Sequence, residues 1–265
     1  MTTLGVIFPP DLPPERLRPV ARAADEAGLE QLWLWEDCFA ESGIATAAAV
    51  LAWTERLTVG IGLLPVPLRN VALTAMEIAT LERLFPGRVL PGVGHGVLDW
   101  MEKVGARAES PMTLLREYTA ALRALLHGQT VDVAGRYVQL TDVALQWAPV
   151  PPPPLLVGAV RERTVMLAGE LGDGVIFTGQ TSPEALQAAL PHLHVGRDRA
   201  RAPGDADVVV FAPVQARTAA AEVAAQVGRL AAAGATHVIL HAVGDGVALE
   251  QFAEMTAREV RPLVP

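Results

Sequence analysis

Residues Leu57–Gly105 read LTVGIGLLPVPLRNVALTAMEIATLERLFPGRVLPGVGHGVLDWMEKVG. Leu57–Leu63 is apolar and β-rich, which predicts a strand. Asn70–Phe85 carries Val71, Leu73, Ala75, Ile78, Leu81 and Leu84 at helical spacing. Pro86-Gly87 stops that helix, because proline cannot continue it and glycine accepts a positive φ. Val89–Val93 predicts a second buried strand, and Gly94-His95-Gly96 leaves bare backbone where it ends. In parallel α/β folds that edge is where chemistry sits.

The same strand-then-helix unit recurs along the chain, roughly every thirty residues. Predicted strands are Leu4–Phe8, Gln31–Trp35, Leu57–Leu63, Val89–Val93, Leu155–Ala159, Gly174–Thr178, Asp207–Val214 and Thr236–His241. Predicted helices are Pro14–Gly28, Gly43–Arg56, Val71–Phe85, Met112–His127, Arg161–Leu171, Pro183–Leu190, Thr218–Ala233 and Val247–Arg258. Near-continuous apolar strands mean a parallel sheet buried on both faces. Eight units match a closed (β/α)8 TIM barrel; an open doubly wound sheet is the alternative. Val131–Trp147 alternates around Gly135-Arg136 and reads as a β-hairpin excursion between the fourth helix and fifth strand. Ala148–Pro154 (APVPPPP) reads as a stiff connector, and the charged stretch Val195–Asp207 as an exposed loop. No domain boundary is visible, so residues 1–265 are expected to form one barrel domain.

Composition narrows the function. With 51% hydrophobic and 19% charged residues the chain is not disordered. A net charge of −8 and pI near 5.3 give no reason to expect a nucleic-acid or anionic-membrane partner. Local amides and arginines can still bind phosphate. Cys38 is the only cysteine, so an internal disulfide is impossible and a reducing cytoplasm is natural. No signal peptide and no membrane span are expected. His192/His194 and His237/His241 lack Cys or carboxylate partners at ligand spacing, so no metal site is expected. Neither a G-x-S-x-G elbow nor a Walker A sequence occurs.

The strand ends hold the candidate site. The second strand ends in the run Trp33-Leu34-Trp35-Glu36-Asp37-Cys38-Phe39. Either carboxylate could orient a ring or act in acid–base chemistry; the alternative is helix capping or pairing with an arginine. Cys38 reads as a small buried hydrophobe. Gly60 and Gly62 mark close backbone approach by a ligand, or steric relief in barrel packing. His95 between Gly94 and Gly96 faces a ligand rather than a packed core. Gly158-Ala159-Val160 before Arg161, and Thr178-Gly179-Gln180 before Ser182 and Pro183, place two helix N-termini where they could cradle a phosphate. Ordinary capping by Thr181 and Ser182 is the alternative.

Together, Trp33–Phe39, Thr58–Asn70, the run Leu81–Arg88 into Gly92–Gly96, Leu155–Thr178 and the segment Leu167–Val175 resemble the bacterial-luciferase-like superfamily, particularly its coenzyme F420-dependent oxidoreductases. The resemblance implies a flavin or deazaflavin at the C-terminal mouth of a (β/α)8 barrel. It puts Gly62-Leu63 at a bulge behind the deazaflavin, often with a non-prolyl cis peptide. It assigns Ala159, Val160, Gly179 and Gln180 to the cofactor phosphate, although the family often has glycine where this chain has Val160. The family's acidic–His pair after the second strand appears here as Glu36-Asp37, without the histidine.

These readings converge on an F420-dependent oxidoreductase acting on a small organic substrate. Catalytic candidates are His95, Glu36 and Asp37. Cofactor-binding candidates are Trp35, Gly62, Leu63, Gly94, Gly158, Ala159, Val160, Thr178, Gly179 and Gln180. The alternatives are an FMN-dependent luciferase-like monooxygenase and a non-catalytic flavin-binding barrel. The resemblance and an Ala-rich helical exterior imply a homodimer.

Overall fold

The computed structural model describes residues 2–179, 181–215, 217–244, 246 and 248–264. Eight parallel strands close into a barrel: β1 (Thr3–Phe8), β2 (Gln31–Leu34), β3 (Thr58–Pro65), β4 (Val89–Gly94), β7 (Leu156–Gly158), β8 (Gly174–Phe177), β9 (Asp207–Gln215) and β10 (His237–Val243). Their order around the barrel is β1-β10-β9-β8-β7-β4-β3-β2, which removes the open-sheet alternative. Strands β5 (Val131–Ala134) and β6 (Gln139–Val143) form the expected antiparallel hairpin between the long helix after β4 and strand β7.

Side chains alternate strictly along these strands. Leu32 and Leu34, Val208 and Val210, Val238 and Leu240 face outward into the large core shared with the helices. Ile7, Trp33, Leu156, Ile176, Val209, Phe211 and Ile239 face inward and fill the barrel. Trp33 is fully buried in this inner cluster, a layer below the mouth where the sequence had grouped it with Trp35. Its bulk explains the glycines of β3: a Cβ on Gly60 would lie 2.2 Å from the Trp33 ring, and one on Gly62 would lie 2.7 Å from Phe211. Steric relief in barrel packing thus accounts for Gly60 and contributes at Gly62.

Helices α1 (Leu17–Ala27), α2 (Gly43–Trp53), α3 (Val71–Leu84), α5 (Pro111–Leu126), α6 (Glu162–Leu171), α7 (Pro183–Ala200), α8 (Ala220–Ala232) and α9 (Leu249–Met255) surround the barrel, and the short α4 (Leu98–Lys103) follows β4. Asn70 caps α3 by accepting from the Ala72 amide at 2.9 Å, and the chain turns at Gly87, whose φ is 72°. The sequence reading fails at α7. That helix runs on through Pro191 to Ala200, where a helix end and a loop were expected. Packing overrides the local proline cost. Gly196 lets α7 approach the Met166 carbonyl of α6, Gly169 lets α6 approach Leu193, and the buried Arg197 donates to the Pro203 and Gly204 carbonyls. Among the described residues no helix is long and apolar enough to cross a membrane.

Candidate functional site

A cleft of about 1320 Å³ opens at the C-terminal strand ends, running from β2 across β3, β4 and β7 to β8. Its lining includes Trp35, Glu36, Asp37, Gly62, Leu63, His95, Gly158, Ala159, Val160 and Thr178. Gly94 and Gly179 are not part of that lining. Gln180 lies outside the described residues.

Leu63 organises the floor. The β3–β4 register shifts between Ile61 and Leu64, and the Gly62–Leu63 peptide is cis, as the resemblance implied. The Leu63 side chain lies across the two neighbouring strands, β4 and β7. A Cβ on Gly94 would sit 2.5 Å from its Cδ2, and one on Gly158 would sit 2.2 Å away. Gly94 therefore serves the site indirectly, by admitting Leu63 beneath the cleft. Any side chain at either glycine would push Leu63 into the cleft.

Glu36 and Asp37 are adjacent but do different things. Glu36 Oε2 accepts from the Gly43 amide at 2.6 Å and from Arg69 Nη2 at 2.6 Å. It thus holds the first turn of α2 and a half-buried cation, the capping-and-pairing alternative raised from sequence. Arg69 also faces Glu77 at 3.7 Å. Asp37 makes no side-chain hydrogen bond among the described residues, and burial raises its pKa above the ordinary carboxylate value. Burial also raises the Cys38 thiol, with Glu36 and Asp37 adding to the shift, so Cys38 is a poor nucleophile.

His95 is half-buried, with its Nδ1 shielded from solvent and without a hydrogen-bond partner among the described residues. Burial lowers its pKa, opposed by the Pro111 backbone. Trp35 Nε1 is likewise shielded and unpartnered. Buried polar atoms of this kind are uncommon in folded proteins, and each costs about 1–3 kcal/mol. Two such atoms line this cleft and make it a candidate place for a ligand's polar groups, while Glu41, Arg69, Glu77, Glu82 and Thr119 carry others outside its lining.

The β7 end of the cleft is cationic. Arg161 is the residue before α6, and no side chain caps that helix. The first turn of α6 lines the cleft with Arg161, Glu162, Arg163 and Thr164, so its start and two arginines stand where a phosphate could bind. By contrast, Ser182 caps α7 by accepting from the Ala185 amide at 3.2 Å, the ordinary role raised from sequence for that turn.

Several site residues escaped the sequence reading. Phe211 joins the lining from β9 and lies 5.6 Å from Trp35, ring to ring. His241, two residues beyond the inward-facing Ile239 on β10, meets the other side of Trp35 edge-on at 4.8 Å. Burial lowers its pKa, with Asp11 opposing. Trp100 of α4, Pro111 and Met112 of α5, and Arg163 complete the walls.

Fold and site together define a TIM barrel with a ligand cleft at the carboxyl ends of its parallel strands. The chain belongs to the luciferase-like monooxygenase family, whose sequence pattern matches residues 2–261. It is 28% identical over 214 residues to a 5,10-methylenetetrahydromethanopterin reductase of Methanolobus tindarius, covering 79% of this chain and 64% of that one. It is 32% identical over 179 residues to an F420-dependent glucose-6-phosphate dehydrogenase of Nocardia farcinica, covering 62% of this chain and 53% of that one. The chain thus spans less than two thirds of the length of these curated relatives. Among solved structures, an F420-dependent secondary alcohol dehydrogenase in complex with an F420-acetone adduct shares the fold, with a TM-score of 0.89 at 20% identity over 100% of this chain and 99% of that one.

Proposed function

We propose that this chain is an F420-dependent oxidoreductase that moves a hydride between the deazaflavin and a small organic substrate. The observation that carries this reading is the pairing, in one cleft, of the Leu63 floor with the uncapped α6 N-terminus. The first would be an apolar support for a ring, and the second would receive a phosphate. F420 rather than FMN is supported by the relatives at 28% and 32% identity.

The residues present fit such a cofactor. Arg161, Arg163 and the first α6 amides would hold its phosphate, Leu63 and Ala159 would support its ring, and Trp35 with Phe211 would wall off water. When bound, the cofactor would supply the hydride chemistry. His95 would hold or release the substrate proton, because burial keeps its imidazole neutral and one ring nitrogen has no protein partner. Asp37 would orient substrate from the β2 side, and Glu36 would fix that loop through Arg69 and the α2 amide. Thr178 borders the phosphate end, while Gly179 would act only through the turn that it forms with Thr181.

We also propose a homodimer. Helix α3 exposes Leu73, Met76 and Leu84 on its outer surface, where a second copy would cover them. A Met76→Glu variant should sediment as a monomer while binding cofactor. A dimer of unchanged strength would place the interface elsewhere.

Fluorescence titration with F420 and, separately, FMN tests the cofactor assignment. Micromolar or tighter binding of F420 supports it. Tight binding without transfer to any acceptor would leave the barrel as a carrier.

A further inference from the structure

The two ends of the cleft differ in charge and polarity, and the difference bears on the substrate. Resting on the deazaflavin reading above, we propose that the β2–β4 end takes a neutral, largely apolar alcohol or its carbonyl counterpart, and rejects phosphorylated or carboxylated substrates.

Three observations converge. The first is charge. The ionisable groups lining this end are Glu36, Asp37, His95 and Glu109. Among the described residues no unpaired basic side chain lines it. Arg69, behind Glu36, is engaged by Glu36 and Glu77. Arg136 pairs with Glu109. Among the described residues the unpaired arginines of the cleft, Arg161 and Arg163, both stand at the β7 end beside the α6 N-terminus, with Glu162 between them. An anionic substrate at the β2–β4 end would face carboxylates without a counter-ion.

The second is polarity. Pro65, Val97, Leu98, Trp100, Pro111 and Met112 form the walls here. Val97 and Leu98 remain 45% and 42% exposed, so an apolar body seated against them gains by covering them. The third is the number of polar anchors. Trp35 Nε1 and His95 Nδ1 are the shielded, unpartnered polar atoms lining the cleft among the described residues. Trp35 Nε1 donates, and the imidazole nitrogen donates or accepts according to its tautomer. With the Asp37 carboxyl, that small set suits a substrate with few polar atoms, such as a hydroxyl or carbonyl oxygen on an apolar body.

The chemistry balances on this assignment. In oxidation, the carbinol C–H bond would break and both its electrons would leave with the hydrogen as hydride, which the oxidised deazaflavin would accept when bound. The O–H proton passes to neutral His95 as the C=O bond forms. In reduction, a hydride from the reduced deazaflavin and a proton from His95 return.

The test uses matched ligands of one shape, cyclohexanol and cyclohexanecarboxylate. Tryptophan fluorescence is followed in full-length protein saturated with inorganic phosphate, which fills the Arg161–Arg163 end. Cyclohexanol should bind at least tenfold more tightly, and a Leu98→Arg variant should narrow or invert that ratio. Equal or tighter binding of the carboxylate by the unaltered protein would overturn the proposal, as would an unchanged ratio in the variant. In the F420-loaded enzyme, cyclohexanol should bleach the deazaflavin absorbance and glucose 6-phosphate should not; the reverse would also overturn it. Failure of the deazaflavin reading would appear separately, in the cofactor titration, because ligand selectivity is measured with no cofactor present.

Discussion

Two tryptophans and two histidines of the barrel interior meet opposite treatment. In the lower layer, Trp33 Nε1 donates to Gln31 Oε1 at 2.9 Å. Gln31 Nε2 lies 3.0 Å from His237 Nδ1, and His237 Nε2 lies 3.2 Å from Asp207. The polar side-chain atoms of Trp33, Gln31 and His237 all have protein partners. One layer up, Trp35 Nε1 and His95 Nδ1 are as well shielded and have none. The lower set is scaffold: its polar atoms are satisfied internally and contribute to one packed arrangement. The upper set has no internal partner among the described residues, which leaves its polar atoms to be met by solvent or by a ligand's polar groups.

The sharpest way to break this comparison is to swap the treatment. Trp33→Ala should lose about 3–5 kcal/mol of unfolding free energy, because a large ring leaves a filled core. Trp35→Phe should cost little or nothing in the unliganded chain, because it removes an unpartnered N–H while keeping an aromatic ring between Phe211 and His241. Urea denaturation measures both. Equal losses would mean that the two layers are one structural core.

Next in size is the glycine notch under Leu63. Gly158→Ala should destabilise the fold by about 1–3 kcal/mol through overpacking and should weaken cofactor binding as Leu63 is displaced. Adding Leu63→Ala should restore much of the stability and leave binding weak, since the floor is then missing. A double-mutant cycle in denaturant and in the cofactor titration separates the two effects.

A smaller effect is expected at the cationic end. Arg161→Ala should weaken cofactor binding roughly tenfold, about 1.4 kcal/mol, and less at high salt, because the lost contact is electrostatic. Folding stability should hardly change for a residue this exposed.

The smallest effect is on pH. Burial lowers the folded-state pKa of His95 below the ordinary histidine value. Between the two values the unfolded chain binds more protons, so stability rises with pH across that window and falls on acidification. His241 acts in the same direction. His95→Gln should shallow the stability loss from pH 7 to pH 5 without abolishing it. A steeper loss would mean that His95 gains a partner on protonation.

The barrel was legible because eight apolar strands alternate with amphipathic helices, and the strand ends then pointed to Trp35, Asp37, Leu63 and His95. Phe211 was hidden because β9 is apolar at nearly every position, which erases the period-two signal that tells inward from outward. His241 stood in view, but only as half of a failed metal pair. The role of Gly94 and Gly158 depends on a side chain delivered from a different strand, so no local pattern carries it. Helix α7 was cut short at Pro191 because its continuation rests on glycine-mediated packing against α6, a tertiary effect.

The central claim is that the orphaned polar atoms, the Leu63 floor and the uncapped α6 N-terminus belong to one deazaflavin site. Parallel titration of the purified protein with F420 and FMN, followed by fluorescence, tests it most directly. F420 binding at micromolar or tighter affinity, weakened together by Gly158→Ala and Arg161→Ala, is the predicted result. Preference for FMN, or F420 binding indifferent to both substitutions, would contradict it.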